Sequence, residues 1–197
     1  MLLAMPDEHL IETSVEQRTL HEGRFITFRV DTIEDADGGR HTREVAAHPG
    51  AVTVIPLLGT ELLMVRQYRH AAGAVVLELP AGTLDRAEDG SIEDPRLAAP
   101  RELGEETGHE ARTWRALGAF WTAPGFTDER MHLYLATDLV PLQQYTGPDE
   151  DERLDVVRIE YRSAMAMADR AEIVDAKTLV GLFRLARLID AGELAIP

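Results

Sequence analysis

The chain has 197 residues, a mass of 21.8 kDa and 45% hydrophobic residues, which suffices for one sizeable core and is short for two independent ones. Its 35 acidic and 20 basic residues give a formal net charge of -15, which opposes general binding to nucleic acid backbones or anionic lipid. The sequence contains no cysteine, so any metal must be held by oxygen or histidine ligands, and this favours a hard cation.

No stretch approaches the roughly 18 uninterrupted apolar residues that a membrane span needs. The opening sequence MLLAMPDEHL carries acids where a signal peptide would be apolar. These features predict a cytoplasmic protein that binds neither membrane nor nucleic acid.

The first part of the chain is predicted to form a β-hairpin. Residues 24–33 and 42–46 are rich in β-branched and aromatic types, and they flank an Asp-Ala-Asp-Gly-Gly turn at 35–39. Three apolar runs then predict central strands of a sheet, at 51–58, 61–69 and 74–81.

The next predicted element is a helix at 94–107, with Asp94 as N-cap and Pro95 in the first turn. Because Pro100 lies inside this stretch, the helix must begin late or bend there, and the cap pair favours a bend. The remaining predictions are strands at 119–123, 131–139 and 155–161 and helices at 163–169 and 175–191.

Three acids of the predicted helix are spaced as expected for a cation-binding site. With 3.6 residues per turn, Glu102, Glu105 and Glu106 share one helix face. Like charges at this spacing repel, so a structural purpose is hard to find unless cations lie among them. Magnesium is the natural occupant, because it takes oxygen ligands and bridges carboxylates to phosphates. The alternative is an acidic helix face that is simply solvated.

The residues around these acids resemble the Nudix box, whose pattern is Gx5Ex7REUxEExGU with U an aliphatic residue. The REL-x-EE-x-G core is matched at residues 101–108 without a gap. Glu88 lies at the required distance from Gly82, whereas Glu93 lies at the required distance from Arg101. An insertion of five residues in the loop, with Glu93 as the counterpart of the first glutamate, reconciles the two spacings.

Segments outside the box are similar to the ADP-ribose pyrophosphatase branch of that family. They are VRQYRHA, LELPAG and APGFTDE, and Pro124 lies 16 positions beyond Gly108, where the branch has proline. The resemblance implies an α+β fold, an α/β/α sandwich around a mixed sheet, at residues 49–197. It also implies an N-terminal antiparallel β-appendage at residues 1–48 that helps form a homodimer. The alternative is an edge hairpin on a monomer.

The same resemblance implies a metal site. Its expected ligands are Glu102, Glu106 and the carbonyl of Ala81, with Glu105 as a ligand or inner support. Gly82, free of a Cβ, is expected to let the backbone turn so that this carbonyl faces the ligand. Magnesium is the expected ion, and manganese or zinc also accept carboxylates. Arg101, a catalytic candidate together with Glu105, is expected to brace the acids rather than contact substrate.

The resemblance also implies a glutamate base in a downstream loop. The acidic run PDEDERLD at 148–155 matches it in position and character. Glu150 is the candidate base, and Glu152 is a candidate additional metal ligand. Asp149, Asp151 and Asp155 are alternatives, and so is a loop that is merely exposed to solvent.

Two residues are candidates for contacts to the nucleobase. Arg43 resembles the adenine-stacking arginine of the branch. Phe25 would supply the other side of the sandwich, or else it belongs to the core of the fold.

Three further residues are substrate-binding candidates: Arg66, Gly125 and Glu129. Arg66 and Arg69 are three positions apart on a predicted strand, so their side chains point to opposite faces and one of them is structural. Arg66 is the one assigned to substrate. Glu129, in the APGFTDE loop, is expected to bond ribose hydroxyls, and Gly125 of the same loop is also a candidate.

Together these features predict magnesium-dependent hydrolysis of ADP-ribose, a nucleoside diphosphate, to AMP and ribose 5-phosphate. Two alternatives within the same chemistry are another sugar nucleotide, such as GDP-mannose, and an oxidised nucleoside diphosphate. An alternative of a different class is a non-catalytic module that senses ADP-ribose. The complete REL-x-EE core favours catalysis.

Overall fold

The computed structural model describes residues 7–145, 147 and 153–196. The chain divides into two compact units. Residues up to Pro49 form the N-terminal unit together with Ala123–Glu129, and the remainder forms the sandwich unit. The sequence had suggested a boundary after residue 48 and had kept 123–129 with the second unit.

The N-terminal unit is a three-stranded antiparallel sheet in the order β1 (Thr13–Glu22), β2 (Thr27–Glu34) and β3 (Arg40–Ala47). The predicted hairpin is confirmed as β2 and β3, and the Asp35 carboxylate accepts the backbone N–H groups of Asp37 and Gly39 in its turn. No sequence pattern indicated β1, because its residues are mostly polar and all exposed. Main-chain pairing holds it beside β2, together with a hydrogen bond from the Gln17 amide to the Asp31 carboxylate at 3.3 Å.

The segment Ala123–Glu129 joins the N-terminal unit through main-chain and side-chain hydrogen bonds. Ala46 N–H donates to the Phe126 carbonyl at 2.8 Å, and the Thr127 hydroxyl donates to the Ala46 carbonyl at 2.7 Å. His48 N–H donates to the Asp128 carboxylate at 2.7 Å. These partners lie about 80 residues apart in the chain, so no local pattern indicated the contact.

The sandwich unit contains a seven-stranded mixed sheet. Its main path runs β10-β5-β4-β9-β8, while β6 pairs with β5 and β7 pairs with β4. Only β4 and β9 are parallel among these pairs of described strands. The strands are β4 (Ala51–Leu58), β5 (Glu61–Arg69), β6 (Ala74–Glu78), β7 (Ala81–Thr83), β8 (His109–Trp121), β9 (Arg130–Pro141) and β10 (Leu154–Glu160).

Helices cover both faces of this sheet: α1 (Pro95–Thr107) on one side, and α2 (Tyr161–Asp169) and α3 (Ala176–Asp190) on the other. Side chains alternate along β4, so Val52 and Val54 pack toward α1 while Ile55 and Leu57 pack toward α2 and α3. The predicted α+β class and the α/β/α sandwich are confirmed. No helix of the described part is long and apolar enough to cross a membrane.

The start of α1 agrees with the sequence. The Asp94 carboxylate accepts the N–H of Arg96 at 2.9 Å, and Pro95 occupies the first turn. The helix continues through Pro100, so the late start is wrong, and a bend at this proline stays a prediction. Gly108 ends the helix in the left-handed region, at φ 68°.

Two predicted strands differ from the observed ones. The run 74–81 divides into β6 and β7, because Pro80 has no N–H for a strand ladder and its carbonyl accepts the N–H of Val54 at 2.9 Å. The predicted strand 119–123 is only the end of β8, which begins at His109 directly after α1. The first part of β8 contains the exposed charged residues Glu110, Arg112 and Arg115, so it carried no apolar run.

Candidate active site

Two of the three acids on α1 are buried. Glu106 is 1% exposed and Glu102 is 8% exposed, whereas Glu105 is half-buried. Transfer of a carboxylate out of water is costly unless hydrogen bonds or cations compensate it. A simply solvated helix face is therefore excluded for Glu102 and Glu106.

The carboxylate of Glu102 lies against Gly82 of β7. A Cβ added to Gly82 would come within 1.9 Å of Glu102 Oε1. The backbone of Gly82 is not in the left-handed region, so glycine is not needed here for a positive φ, and the expected turn of the Ala81 carbonyl toward a ligand stays a prediction. Glycine is required here because any side chain would occupy the space of the carboxylate.

The neighbouring residue of the strand binds the other buried acid. Ala81 N–H donates to Glu106 Oε2 at 3.0 Å. Both buried carboxylates of α1 therefore meet the two consecutive residues Ala81 and Gly82. This contact fixes the main chain of Ala81, the residue predicted to supply a carbonyl ligand, relative to the acids of the helix.

Arg101 lies among three glutamates. Its Nη1 is 2.8 Å from Glu102 Oε1 and 2.9 Å from Glu105 Oε2. Its Nε and Nη2 donate to the two oxygens of Glu93, at 3.3 and 2.9 Å. Burial opposes the charged form, but the hydrogen bonds to Glu93 and the charge of Glu102 raise the pKa of Arg101 above its ordinary value. Arg101 therefore stays cationic and orients these carboxylates.

The loop before α1 distinguishes the two candidate glutamates. Glu93 bonds Arg101 and also accepts the N–H of Asp85 at 3.2 Å, while Glu88 is exposed. The hydrogen bond from Arg101 is the main cause of the lowered pKa of Glu93. Glu93, and not Glu88, is thus connected to the acidic cluster.

The chemistry of the donor set suits a hard divalent cation. The described part of the chain contains no group of three or more His, Cys, Asp or Glu side chains arranged to hold a metal ion. Glu102 and Glu106 supply carboxylate oxygens, which magnesium prefers, but only part of an octahedral shell. The Ala81 carbonyl and Glu105 are further candidate ligands, and the rest of the shell would have to come from water, substrate phosphate or acids outside the described residues.

Glu150 and Glu152, the candidate base and additional metal ligand, lie outside the described residues. On the N-terminal side of that loop, the structure describes the chain up to Tyr145, and Gly147 beyond it. A Cβ on Gly108 would be 3.2 Å from the Tyr145 ring, so this ring lies at the end of α1. Burial, and then the charge of Glu106, raises the pKa of the Tyr145 phenol.

An ion cluster surrounds the buried carboxylate of Glu78, at the end of β6. Arg69 donates two hydrogen bonds to Glu78, at 2.8 and 2.7 Å, and Lys177 on α3 also donates to Glu78. Lys177 Nζ is 3.1 Å from Asp175. Sequence reasoning missed Glu78 and Lys177, because they are 99 residues apart and each lies in an otherwise ordinary element. Arg69 thus has a structural partner.

The nucleobase candidates both lie in the N-terminal unit. Arg43 is exposed on β3, and its guanidinium forms an ion pair with Glu12. Phe25 is 52% exposed, with the guanidinium of Arg24 4.7 Å from its ring centre. The alternative that Phe25 is a core residue is therefore wrong in this structure. A role for Arg43 or Phe25 in binding substrate stays a prediction.

The other substrate candidates are distributed over both units. Gly125 and Glu129 belong to the segment of the N-terminal unit, where His48 Nε2 is 3.8 Å from Glu129 Oε1. Arg66 belongs to the sandwich unit and is exposed on β5. Their contacts to substrate also stay predictions.

Comparison with known families agrees with this geometry. A family model described as the NUDIX domain matches residues 47–181. The chain belongs to the Nudix family. The matched range contains β4 to β10, all of the box and the ion cluster around Glu78. The resemblance inferred from residues 101–108 is therefore confirmed.

Individual Nudix relatives are similar over most of the chain. An ADP-ribose pyrophosphatase of Mycobacterium tuberculosis is 39% identical over 176 residues, 89% of this chain and 83% of the relative. A methanol dehydrogenase activator of Bacillus methanolicus is 37% identical over 172 residues, 87% of this chain and 90% of the relative. A solved structure described as an ADP compounds hydrolase has a TM-score of 0.77 at 25% identity and covers 93% of this chain and 97% of its own.

The ion cluster predicts the direction of a pH effect. Burial raises the pKa of Glu78, but Arg69 and Lys177 outweigh it, so the pKa lies below its ordinary value of 4.5. Glu78 therefore contributes stability above about pH 4.5, and this contribution is lost as the pH falls through the lowered pKa. In Lys177→Met the pKa of Glu78 rises, and the midpoint of acid unfolding, followed by circular dichroism, should move to higher pH.

The control for this measurement is Arg187→Met, which removes an exposed cation from the same helix. Its acid midpoint should equal that of the unmodified protein. Equal midpoints for all three proteins would show that Lys177 does not hold Glu78 in its charged form.

Proposed function

We propose that this chain hydrolyses the diphosphate bond of ADP-ribose to AMP and ribose 5-phosphate, with magnesium as its cofactor. The observation that carries the proposal is the pair of buried carboxylates, Glu102 and Glu106, held against Gly82 and Ala81 within a complete REL-x-EE motif. The names of the Mycobacterium tuberculosis relative and of the solved structure support the choice of an ADP compound.

The reaction explains why acids are gathered at a phosphate site. The negative oxygens of a diphosphate repel an attacking water, so their charge must be neutralised and the water must lose a proton. A bound magnesium ion supplies the first of these effects as a Lewis acid. Glu102, Glu106 and the Ala81 carbonyl would hold it, with Glu105 as ligand or support, while Arg101 orients Glu102 and Glu105.

We assign Glu150 as the base that removes a proton from the attacking water, and Glu152 as an additional metal ligand. The contact of Tyr145 with Gly108 supports this assignment, because the acidic run begins shortly after a residue that lies at the end of α1. Asp149, Asp151 and Asp155 remain alternative bases.

We also propose a homodimer formed through the N-terminal unit, in the cytoplasm. Support for the dimer comes from apolar side chains that this unit exposes: Leu10, Ile11, Val15, Leu20, Phe25, Ile26 and Phe28. Exposed apolar groups in such number favour burial against another surface.

The dimer is tested by light scattering on the purified chain. We expect a mass of twice the 21.8 kDa of one chain across the micromolar range. A mass of 21.8 kDa at all concentrations would contradict the dimer and favour an edge sheet on a monomer.

The proposed activity is tested with a panel of ADP-ribose, GDP-mannose, ADP-glucose, NADH and diadenosine polyphosphates, each with magnesium and with an EDTA control. Phosphate release is measured after coupling to alkaline phosphatase. We expect ADP-ribose to dominate and EDTA to abolish the signal. Preference for another compound would reject the substrate but keep the chemistry, and silence across the panel would favour the non-catalytic sensor.

Two substitutions separate metal binding from proton removal. Glu106→Gln should lower kcat about 100-fold and weaken metal binding, because a neutral amide replaces a charged ligand. Glu150→Gln should lower kcat by about 100-fold with nearly unchanged metal affinity, because only the base is lost.

The matched control is Glu88→Gln, which makes the same change at an exposed glutamate of the preceding loop. Its kcat and metal affinity should equal those of the unmodified enzyme. A large loss of metal affinity in Glu150→Gln would reject its role as base, and an active Glu106→Gln enzyme would reject the metal site.

A further inference from the structure

The segment 78–81, which links β6 to β7, is held by polar contacts at every residue. Arg69 and Lys177 bond the side chain of Glu78. The Pro80 carbonyl accepts hydrogen bonds from Val54 N–H and from the hydroxyl of Thr53, at 2.9 and 3.1 Å, and Ala81 N–H donates to Glu106.

The remaining residue of the segment is held by α3. Leu79 N–H donates to the hydroxyl oxygen of Thr178 at 2.8 Å, and this hydroxyl donates to Asp175 at 2.6 Å. Thr178 and Leu79 are both 0% exposed, so water is unable to replace either bond. Asp175 is also the N-cap of α3 and accepts Thr178 N–H at 3.0 Å. Hydrogen bonds therefore connect the first turn of α3 to the segment 78–81.

Close packing continues this contact one turn further along α3. A Cβ on Gly181 would lie 2.4 Å from Leu79 Cδ1. A helix that approaches the side chain of Leu79 so closely, and bonds its N–H at the same time, leaves the segment little freedom to shift. The neighbouring Pro80 adds a fixed φ.

We propose that Lys177 and Thr178 are positioning residues for the metal site: they hold residues 78–81 so that Ala81 stays bonded to Glu106. This inference rests on the proposed function, because it matters for catalysis only if Ala81 and Glu106 hold the cation. Neither residue contacts the acids of α1 in the described interactions. They act through Glu78 and Leu79, and the position of Ala81 follows from the short chain between them.

The test uses Thr178→Val, which keeps the shape of the side chain and removes its hydroxyl. Loss of the acceptor leaves the Leu79 N–H unpaired in the core, so amide hydrogen exchange of a peptide covering residues 78–83 should become about tenfold faster. Manganese affinity, measured by electron paramagnetic resonance on the same protein, should fall about fivefold or more. Thr178→Ser restores a hydroxyl and should restore both values most of the way.

The matched control is Thr113→Val, which removes another threonine hydroxyl that donates to a carboxylate at 2.6 Å, on β8. It should leave exchange of residues 78–83 and manganese affinity unchanged. If Thr178→Val does not fold, Lys177→Met provides the same two measurements, with Lys177→Arg as the rescuing variant.

The positioning role is overturned if Thr178→Val lowers only the melting temperature, with exchange at 78–83 and manganese affinity equal to those of the unmodified protein. Equal effects of Thr178→Val and Thr178→Ser would also overturn it. Failure of the proposed function looks different: the unmodified protein would not hydrolyse ADP-ribose, while the exchange and manganese measurements would still show the expected loss in Thr178→Val.

Discussion

The contact between the buried acids of α1 and strand β7 is the constraint on which the rest of the site depends. Glu102 occupies the space that a side chain at position 82 would fill, and Glu106 accepts the N–H of Ala81. Ionised carboxylates are unfavourable in a protein interior, so a fold that buries two of them must compensate their charge. The Ala81 N–H and the guanidinium of Arg101 contribute to that compensation, and Gly82 leaves the space that the Glu102 carboxylate occupies.

Arginine is suited to the position it holds beside these acids. The guanidinium of Arg101 offers several donors in a fixed plane, and it uses them on Glu93, Glu102 and Glu105 at once. A lysine would provide one point charge and would lose the paired hydrogen bonds to Glu93. The loop between Gly82 and Arg101 is five residues longer than the box pattern requires. It is tolerated because Glu93, at the end of the loop, still bonds this guanidinium.

The interruption of the sheet at Leu79 and Pro80 connects the two sides of the sandwich unit. Along β4, the first residues pair with β7 and the last pair with β5, so the chain between β6 and β7 crosses from one ladder to another. Its outgoing strand meets α1, while Leu79 packs in the core beside α3. A change on α3 thereby has a physical route to the acids of the box, through covalent chain and hydrogen bonds.

Features that depend on residues close together in the chain were predictable from the sequence, and features that depend on distant residues were not. The REL-x-EE-x-G motif, the capped start of α1, the β2–β3 hairpin and the apolar runs of the central strands are local patterns. They sufficed to predict the family and the sandwich and to choose candidate metal ligands. Long-range partners left no local trace: Lys177 with Glu78, Thr178 with Leu79, and the segment 123–129 beside β3. Gly82 illustrates the difference, since the sequence marked it as important, but only the tertiary structure showed that the carboxylate of Glu102, twenty residues later, needs its space.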